Sequence, residues 1–470
     1  MPACFSTLPS EVLLQITANV DKSGWLLDLA LCCRRLYHLT IPHLYTDIKL
    51  FYSAHKLGFP YLKSFTIHVL DNPILASYVR GFALNQSFGD DDFPGEESKV
   101  QDIAETVQEV VFRSSFSQGQ QEEFMRLLKN GDEDAYVALL LSSLPNLERL
   151  NIVEPPIPPK YFRKLVLKAA RRERLFQNQP AFSALRVVVN NCYNDPYRTL
   201  PRLLSEYVRL PSLLEFHGHN VGSYVDGRDE GLAALEPATS PLVHLELRAR
   251  KLNAVDLTHM LRAFKHLKTF IYEIGWANIG ISIPSTLELG EALIWTEISL
   301  EDLWLEHVEY QPYSHQDFSP LRTLSNFKVL KNLRLGMYFC FDFPESGGLG
   351  YAPDLANFMP ASIETLYFSH TSGRIHELTS SLEQLLQSKA SCTPNLQRIA
   401  FEADITGQDY DVDYSSLDFV AEEVGVEIAR VDSNRRERGQ GKDGSLTVSL
   451  AKLCTFPPLP LFESLDIFEE

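Results

Sequence analysis

Long apolar runs are missing from this chain. The longest, Tyr136 to Leu144, falls well short of the roughly 18 residues that a bilayer span needs, so no transmembrane helix is expected. The opening residues, MPACFSTLPSEV, lack a basic stretch followed by an apolar core, so no secretory leader is expected. Cysteine is sparse and odd in number, seven in 470 residues, with no Cys-x-x-Cys pair and no zinc-like Cys/His spacing. No disulfide framework is therefore expected, and a reducing compartment, cytoplasmic or nuclear, fits best. Positive charge is short as well: 43 Lys and Arg stand against 61 Asp and Glu, for a net charge of −18. That balance argues against a general nucleic-acid binder, which must neutralise phosphates. The acid excess suits either basic partners or plain solubility.

Catalytic and ligand motifs are also wanting. Asp409, Asp411 and Asp413 imitate the start of a calcium loop, but Tyr414 stands where glycine is needed and Val420 where a bidentate glutamate is needed. His217 and His219 form a pair with no third metal ligand at a telling distance in sequence. Gly347-Gly348-Leu349-Gly350 has neither the P-loop lysine nor the dinucleotide-binding spacing, and reads as a turn. Cys32 and Cys33 sit on a leucine-rich helix, where free cysteine behaves as a small hydrophobe. Arg435, Arg436 and Arg438 are too few for a nuclear signal. The expectation is no catalytic residue, no cofactor and no metal.

What is present is a folded composition, 45% apolar, in a chain long enough for two to four domains or one elongated repeat array. Residues Leu8 to Ile48 carry the densest signal. Pro9 suits a first helical position and Glu11 the first turn. Val12, Leu13, Ile16 and Val20 share a helical face. Asp21 to Gly24 reads as a turn, and a second stripe follows at Leu26, Leu29, Cys33 and Leu36. Thr40 and Pro42 punctuate the chain before Leu44, Tyr45 and Ile48. Helices this short must pack on one another or on a partner. Periodicity alone allows a plain three-helix cap on whatever follows.

This segment resembles the F-box, the helical module that docks a protein onto the Skp-type adaptor of a cullin ubiquitin ligase. The resemblance rests on Leu8, Pro9, Glu11, Val12, Leu13 and Ile16, then Leu29, Cys33, Arg34, Arg35 and Leu36, then Pro42, His43, Leu44 and Tyr45. It covers about a tenth of the chain. Many family members have a tryptophan where this chain has Tyr45. The resemblance implies that Leu8, Pro9, Val12, Leu13 and Ile16 enter an apolar groove of the adaptor. Leu29, Cys33 and Leu36 would then be partly core and partly interface.

Beyond it a pattern Leu-x-x-Leu-x-Leu, with other apolar residues allowed, recurs. Good copies start at Leu147, Leu242, Leu267, Leu300, Leu330, Ile363 and Leu396, and poorer ones at Leu185 and Leu213. Two more are weighed at Leu62 (LKSFTI) and Val79 (VRGFAL). From Leu147 to Leu396 the anchors lie 25 to 38 residues apart, several after turns such as Pro145-Asn146 and Pro394-Asn395. This resembles leucine-rich repeats, each a short strand and a helical return, although the usual asparagine or cysteine after the strand is absent. Helices are predicted over Glu122 to Leu144, broken near Asn130-Gly131, and over Asp256 to Phe264, Glu377 to Leu386 and Ser416 to Val424. Loops are expected at Ser87 to Ser98, Glu154 to Lys160 and Ser433 to Ser445, with a tail from Leu446 that returns to pack through Leu450, Leu453, Phe456 and Leu461.

The fold expected is α/β (α+β): an N-terminal three-helix F-box followed by a curved leucine-rich-repeat-like solenoid. The divisions expected are 1–50 for the F-box, 51–145 for irregular first repeats with an acidic loop and helices, 146–432 for the solenoid, and 433–470 for a flexible loop and tail.

Strand alternation places the middle residue of each motif opposite the two leucines. That row is Asn151, Glu246, Ile271, Trp304, Arg334, Tyr367 and Ala400, with His217 if the weak copy at Leu213 counts. Trp304, Arg334 and Tyr367 come from consecutive units, and Trp, Arg and Tyr dominate binding hot spots. They are the expected substrate-binding patch, unless helices or the tail cover them or they pack internally. The function expected is a non-catalytic substrate receptor of an SCF-type cullin ubiquitin ligase. Its partners would be a Skp-type adaptor, through it a cullin, and a protein target; no nucleic acid and no membrane are expected. A scaffold with no ubiquitination output and an enzyme with an unrecognised site are the alternatives.

Overall fold

The structure is a computed structural model. It describes residues 8–20, 23–53, 58–88, 104–154, 159–176, 179–192, 203–219, 230–250, 252–274, 284–307, 320–321, 323–341, 354–369, 371, 374–403, 409 and 412–432. The loops expected at Ser87 to Ser98, Glu154 to Lys160 and Ser433 to Ser445 fall largely or wholly outside these, as do the tail from Leu446, Gly347 to Gly350 and Arg435 to Arg438.

Contacts divide the chain into two compact units, 1–193 with 209–216, and 194–208 with 217–470. The first begins with α1 (Ser10–Ala18), α2 (Ser23–Cys32) and α3 (Arg34–Leu44). Strand β1 (Asp47–Leu50) follows at once, then α4 (Leu62–Asp71), α5 (Pro73–Tyr78) and β2 (Gly81–Ser87). Next come α6 (Glu105–Phe112), α7 (Gln118–Lys129), α8 (Glu133–Ser142), β3 (Arg149–Glu154), α9 (Lys160–Ala170) and β4 (Val187–Cys192). Helix α10 (Leu204–Val208) precedes β5 (Glu215–His219), within which the two units divide.

The second unit continues with α11 (Glu230–Ala233), β6 (His244–Arg250), α12 (Ala254–Ala263), β7 (Thr269–Ile274) and α13 (Thr286–Leu293). Then come β8 (Asp302–His307), β9 (Asn332–Gly336), α14 (Leu355–Phe358) and β10 (Thr365–Ser369). It closes with α15 (Ile375–Gln387), α16 (Lys389–Cys392), β11 (Arg398–Ala403), α17 (Ser415–Glu423) and β12 (Glu427–Asp432).

The expectation of a three-helix F-box followed by a curved leucine-rich-repeat-like solenoid is corrected by this arrangement. The strands form one 12-stranded, all-parallel sheet in chain order, interleaved with helices. The α/β class stands. Motif spacing identified strands one at a time, but it could not show that the sheet starts at β1, directly behind α3. Nor did it predict β12.

The motif works as a packing device. Leu300, just before β8, and Leu303 and Leu305 within it are all fully buried, as are Leu242, Leu245 and Leu247 around β6. Each such side chain contributes about 1.5–3 kcal/mol on burial. In most units one carbonyl just before the strand accepts two amides from the next unit. Val243 O takes Lys268 and Thr269, Lys268 O takes Glu301 and Asp302, and Glu301 O takes Lys331 and Asn332. Within the first unit, Thr46 O, Arg80 O and Glu148 O repeat the arrangement. This hook sets the register. Glu246 pairs with Ile271, Ile271 with Trp304, Trp304 with Arg334, Arg334 with Tyr367, and Tyr367 with Ala400.

Helix ends follow their residues. Gly131 (φ 79°) ends α7 as its amide bonds Leu128 O and that of Asp132 bonds Leu127 O. Gly425 (φ 67°) does the same for α17, with Val426 N reaching Ala421 O. A side chain there would be strained, because only glycine takes this conformation freely. Helix α9 has no cap of its own. Its Tyr161 and Phe162 amides donate to the two carboxylate oxygens of Asp134 on α8, at 2.7 and 2.8 Å. Burial pushes the Asp134 carboxyl up to about 6, although those two donors pull the other way.

Candidate functional site

In the first unit, α1 to α3 pack through few residues: Leu13 and Thr17 of α1, Leu26 and Ala30 of α2, Leu36 and Thr40 of α3. The Arg35 guanidinium ties the start of α1 to α3, donating to Leu8 O at 2.8 Å and Ser10 Oγ at 2.9 Å. The rest of this apolar surface stays in solvent. Val12, Leu14, Trp25, Leu27, Leu31 and Tyr37 are exposed, Leu31 to 75%. Helix α2, sequence SGWLLDLALC, is apolar nearly all round yet buries only one side, a pattern proper to helices covered on every face.

Of the residues that sequence reasoning assigned to adaptor contact, Pro9, Val12 and Cys33 are exposed, and Leu8, Ile16 and Leu29 are half-buried. Leu13 is not available, because at 1% exposure it belongs to the internal core, which corrects its assignment; Leu36, expected to be partly core and partly interface, is core at 5% exposure. Leu14, Trp25, Leu27, Leu31 and Tyr37 were missed. For the three on α2 the signal was the scarcity of polar residues, only Ser23 and Asp28 among its ten.

In the second unit the row Glu246, Ile271, Trp304, Arg334, Tyr367, Ala400 lies on one face as alternation predicts. The geometry brings Trp304, Arg334 and Tyr367 together. The Arg334 guanidinium lies 3.9 Å from the centre of the Trp304 ring and 4.4 Å from that of Tyr367. It donates to Glu306 Oε2 at 2.8 Å, Trp304 Nε1 donates to the same oxygen at 2.7 Å, and Tyr367 OH donates to Glu402 at 2.9 Å.

Their assignment as a substrate-binding patch is corrected, because they are 2%, 1% and 1% exposed. Strands β8 to β11 are buried on both faces beyond their first residue. Parallel sheets are characteristically covered on both sides, and a motif that marks one face says nothing of what shields the other.

The network continues toward β5. Arg248 stacks on the Trp304 ring from 4.5 Å, bonds Glu246 Oε1 and reaches Glu273 at 3.1 Å. His217 Nδ1 meets Glu246 Oε2 at 2.8 Å, and His244 Nε2 lies 3.7 Å from that oxygen. Burial pushes the Glu246 carboxyl up, but Arg248 and the two imidazoles outweigh it and hold the carboxyl well below the usual range. Sequence reasoning paired His217 with His219. His219 is exposed, and the neighbours of His217 are instead His244 and Glu246 of the next strand.

The second unit also carries an open groove of about 490 Å³ beside the strand starts, with Lys268, Lys328, Lys331 and the exposed Ile298 in its lining. Lys268 and Lys331 both pair with Glu301, at 2.8 and 3.2 Å. Among the described residues no helix is long and apolar enough to cross a membrane.

A scan against known protein families finds no match to this chain, and a search of curated proteins finds none either.

Proposed function

We propose that the chain is a receptor subunit of an SCF-type cullin ubiquitin ligase, with α1 to α3 docking a Skp-type adaptor. The observation that carries this reading is the unfinished apolar surface of those helices. Val12, Leu14, Trp25, Leu27, Leu31 and Tyr37 stand in water on a module whose own core is complete without them. An apolar surface of this density marks a protein contact, and the F-box-like residues Leu8 to Tyr45 supply the kind of partner. The receptor makes no covalent bond itself. It raises the local concentration of a target beside the ubiquitin-conjugating enzyme, so the rate is set by tethering. With the Trp304, Arg334 and Tyr367 face sealed, the target is held elsewhere on the second unit. The groove bordered by Ile298 and its lysines is the surface we assign to it.

The test is binding of purified Skp-type adaptor by surface changes that spare the core. Val12→Glu and Leu31→Glu should each weaken binding at least about tenfold, since a lost hot spot removes about 2 kcal/mol or more. Both should leave the circular dichroism spectrum unchanged. Deleting 1–50 is a poorer test, because it also removes β1 and the Thr46 carbonyl that holds β2. Full-strength adaptor binding by both variants would refute the reading. Co-purification of a cullin, with target accumulation when the proteasome is blocked, separates a ligase receptor from a scaffold without ubiquitination output.

A further inference from the structure

We propose that His217, His244 and Glu246 form a binding site for a divalent transition metal of the zinc class, joining β5 to β6 inside the second unit. The three side chains present donor atoms that all lie within 4.8 Å of one another. His244 and Glu246 are two residues apart on β6 and so share a face. His217 reaches them from β5. Glu246 Oε2 faces both imidazoles, at 2.8 Å from His217 Nδ1 and 3.7 Å from His244 Nε2. Donors around a tetrahedral zinc with bonds of about 2.0–2.1 Å stand roughly 3.3 Å apart, and the two observed separations bracket that value. The two imidazole donors also lie within 4.8 Å of each other.

The surroundings fit as well. The second oxygen of Glu246 is held by Arg248, whose other arm reaches Glu273 at 3.1 Å. That is the outer support that orients a ligating carboxylate, and Glu273 offsets the charge of the arginine. Two imidazoles and one carboxylate select a borderline metal over calcium or magnesium, which prefer all-oxygen sites. On binding, the metal takes the place of the proton between His217 Nδ1 and Glu246 Oε2, and the imidazole carries its proton on Nε2 instead. Three bonds to metal form, and one hydrogen bond is given up.

The proposal is independent of adaptor docking. The test uses the untagged full chain, stripped with a chelator, dialysed against zinc chloride and passed over a desalting column. Elemental analysis should find one zinc per chain in the wild type and in His219→Ala. His244→Ala and Glu246→Gln should retain less than about a tenth of that. Cobalt(II) added to the stripped wild type should give the visible absorption of a low-symmetry nitrogen and oxygen site, which decides the matter even if a variant fails to fold. No retained zinc in the wild type, no cobalt spectrum, or retention unaffected by His244→Ala would each overturn the site.

Discussion

Replacing Arg334 by alanine tests whether the aromatic and charged row is truly sealed. The side chain is 2% exposed and lies between the Trp304 and Tyr367 rings. It bonds Glu306 at 2.8 Å and lies 3.9 Å from Glu402. Removing it takes a cation from beside two buried carboxylates, Glu306 and Glu402, which in such settings costs about 3–5 kcal/mol. The lost ring contacts are part of that sum, at about 1–2 kcal/mol. Arg334→Met restores the volume but not the charge, so it should lose nearly as much. Adding Glu306→Gln to Arg334→Met should recover a substantial part, because a neutral replacement of a buried pair is often tolerated. The assay is urea denaturation followed by far-ultraviolet circular dichroism and tryptophan fluorescence. A loss under about 1 kcal/mol for Arg334→Ala, the value typical of exposed pairs, would mean that water reaches this face. The row would then regain its standing as a surface for a target.

Three further outcomes follow from other parts of the structure. Asp134 has a folded-state pKa of about 6, above its usual 3.8, so the native state binds the extra proton between those values and its contribution to stability grows as pH falls through that window. Asp134→Asn keeps an oxygen for α9 but cannot titrate. The stability difference between wild type and variant should shift by about 2–3 kcal/mol in favour of the wild type from pH 7 to pH 4, and no shift would refute the assignment. Burial pushes the Cys340 thiol far up, while Cys32 and Cys33 are exposed. A maleimide should therefore label the latter within minutes and leave Cys340 untouched in the native chain, and saturating adaptor should slow labelling of Cys33, as peptide mass spectrometry can read. A Cβ at Gly81 would meet Asp47 Oδ1 at 1.9 Å and force that side chain off Arg149, to which it is bonded at 2.8 Å. The pair is half-exposed, so Gly81→Ala should cost no more than about 1 kcal/mol beyond any backbone effect, as thermal unfolding would show.

The strands most easily read from the letters were those whose three leucines all face one way. The good copies at Leu147, Leu242, Leu267, Leu300, Leu330, Ile363 and Leu396 became β3, β6, β7, β8, β9, β10 and β11, and the doubtful one at Val79 became β2. The copy at Leu62 did not. LKSFTI is the start of α4, where burial falls on Leu62, Thr66 and Val69 at helical spacing rather than on Leu62, Phe65 and Ile67. Six residues cannot separate those two periods, and here the apolar residues just beyond them decided it. Strand β12, EIARVD, is the last of the sheet and lacks the motif, so nothing in its letters marked it. The order of the row from Glu246 to Ala400 was legible from alternation, but its burial was not, since nothing in one strand declares what lies over it. The cluster at His217 was hidden for a related reason. Its members are 29 residues apart in sequence, and only the register of two strands makes them neighbours.

The repeated double acceptance by one carbonyl per unit makes this architecture modular in length. Excising everything from Glu301 to Val329 together with Leu330 would bring the Lys331 and Asn332 amides to the Lys268 oxygen that Glu301 and Asp302 now use. The cut ends would match without altering any alternation. Losing a single residue inside Asp302–His307 would instead turn half of that strand inside out. Such a chain can lengthen or shorten by whole rungs far more readily than by single letters.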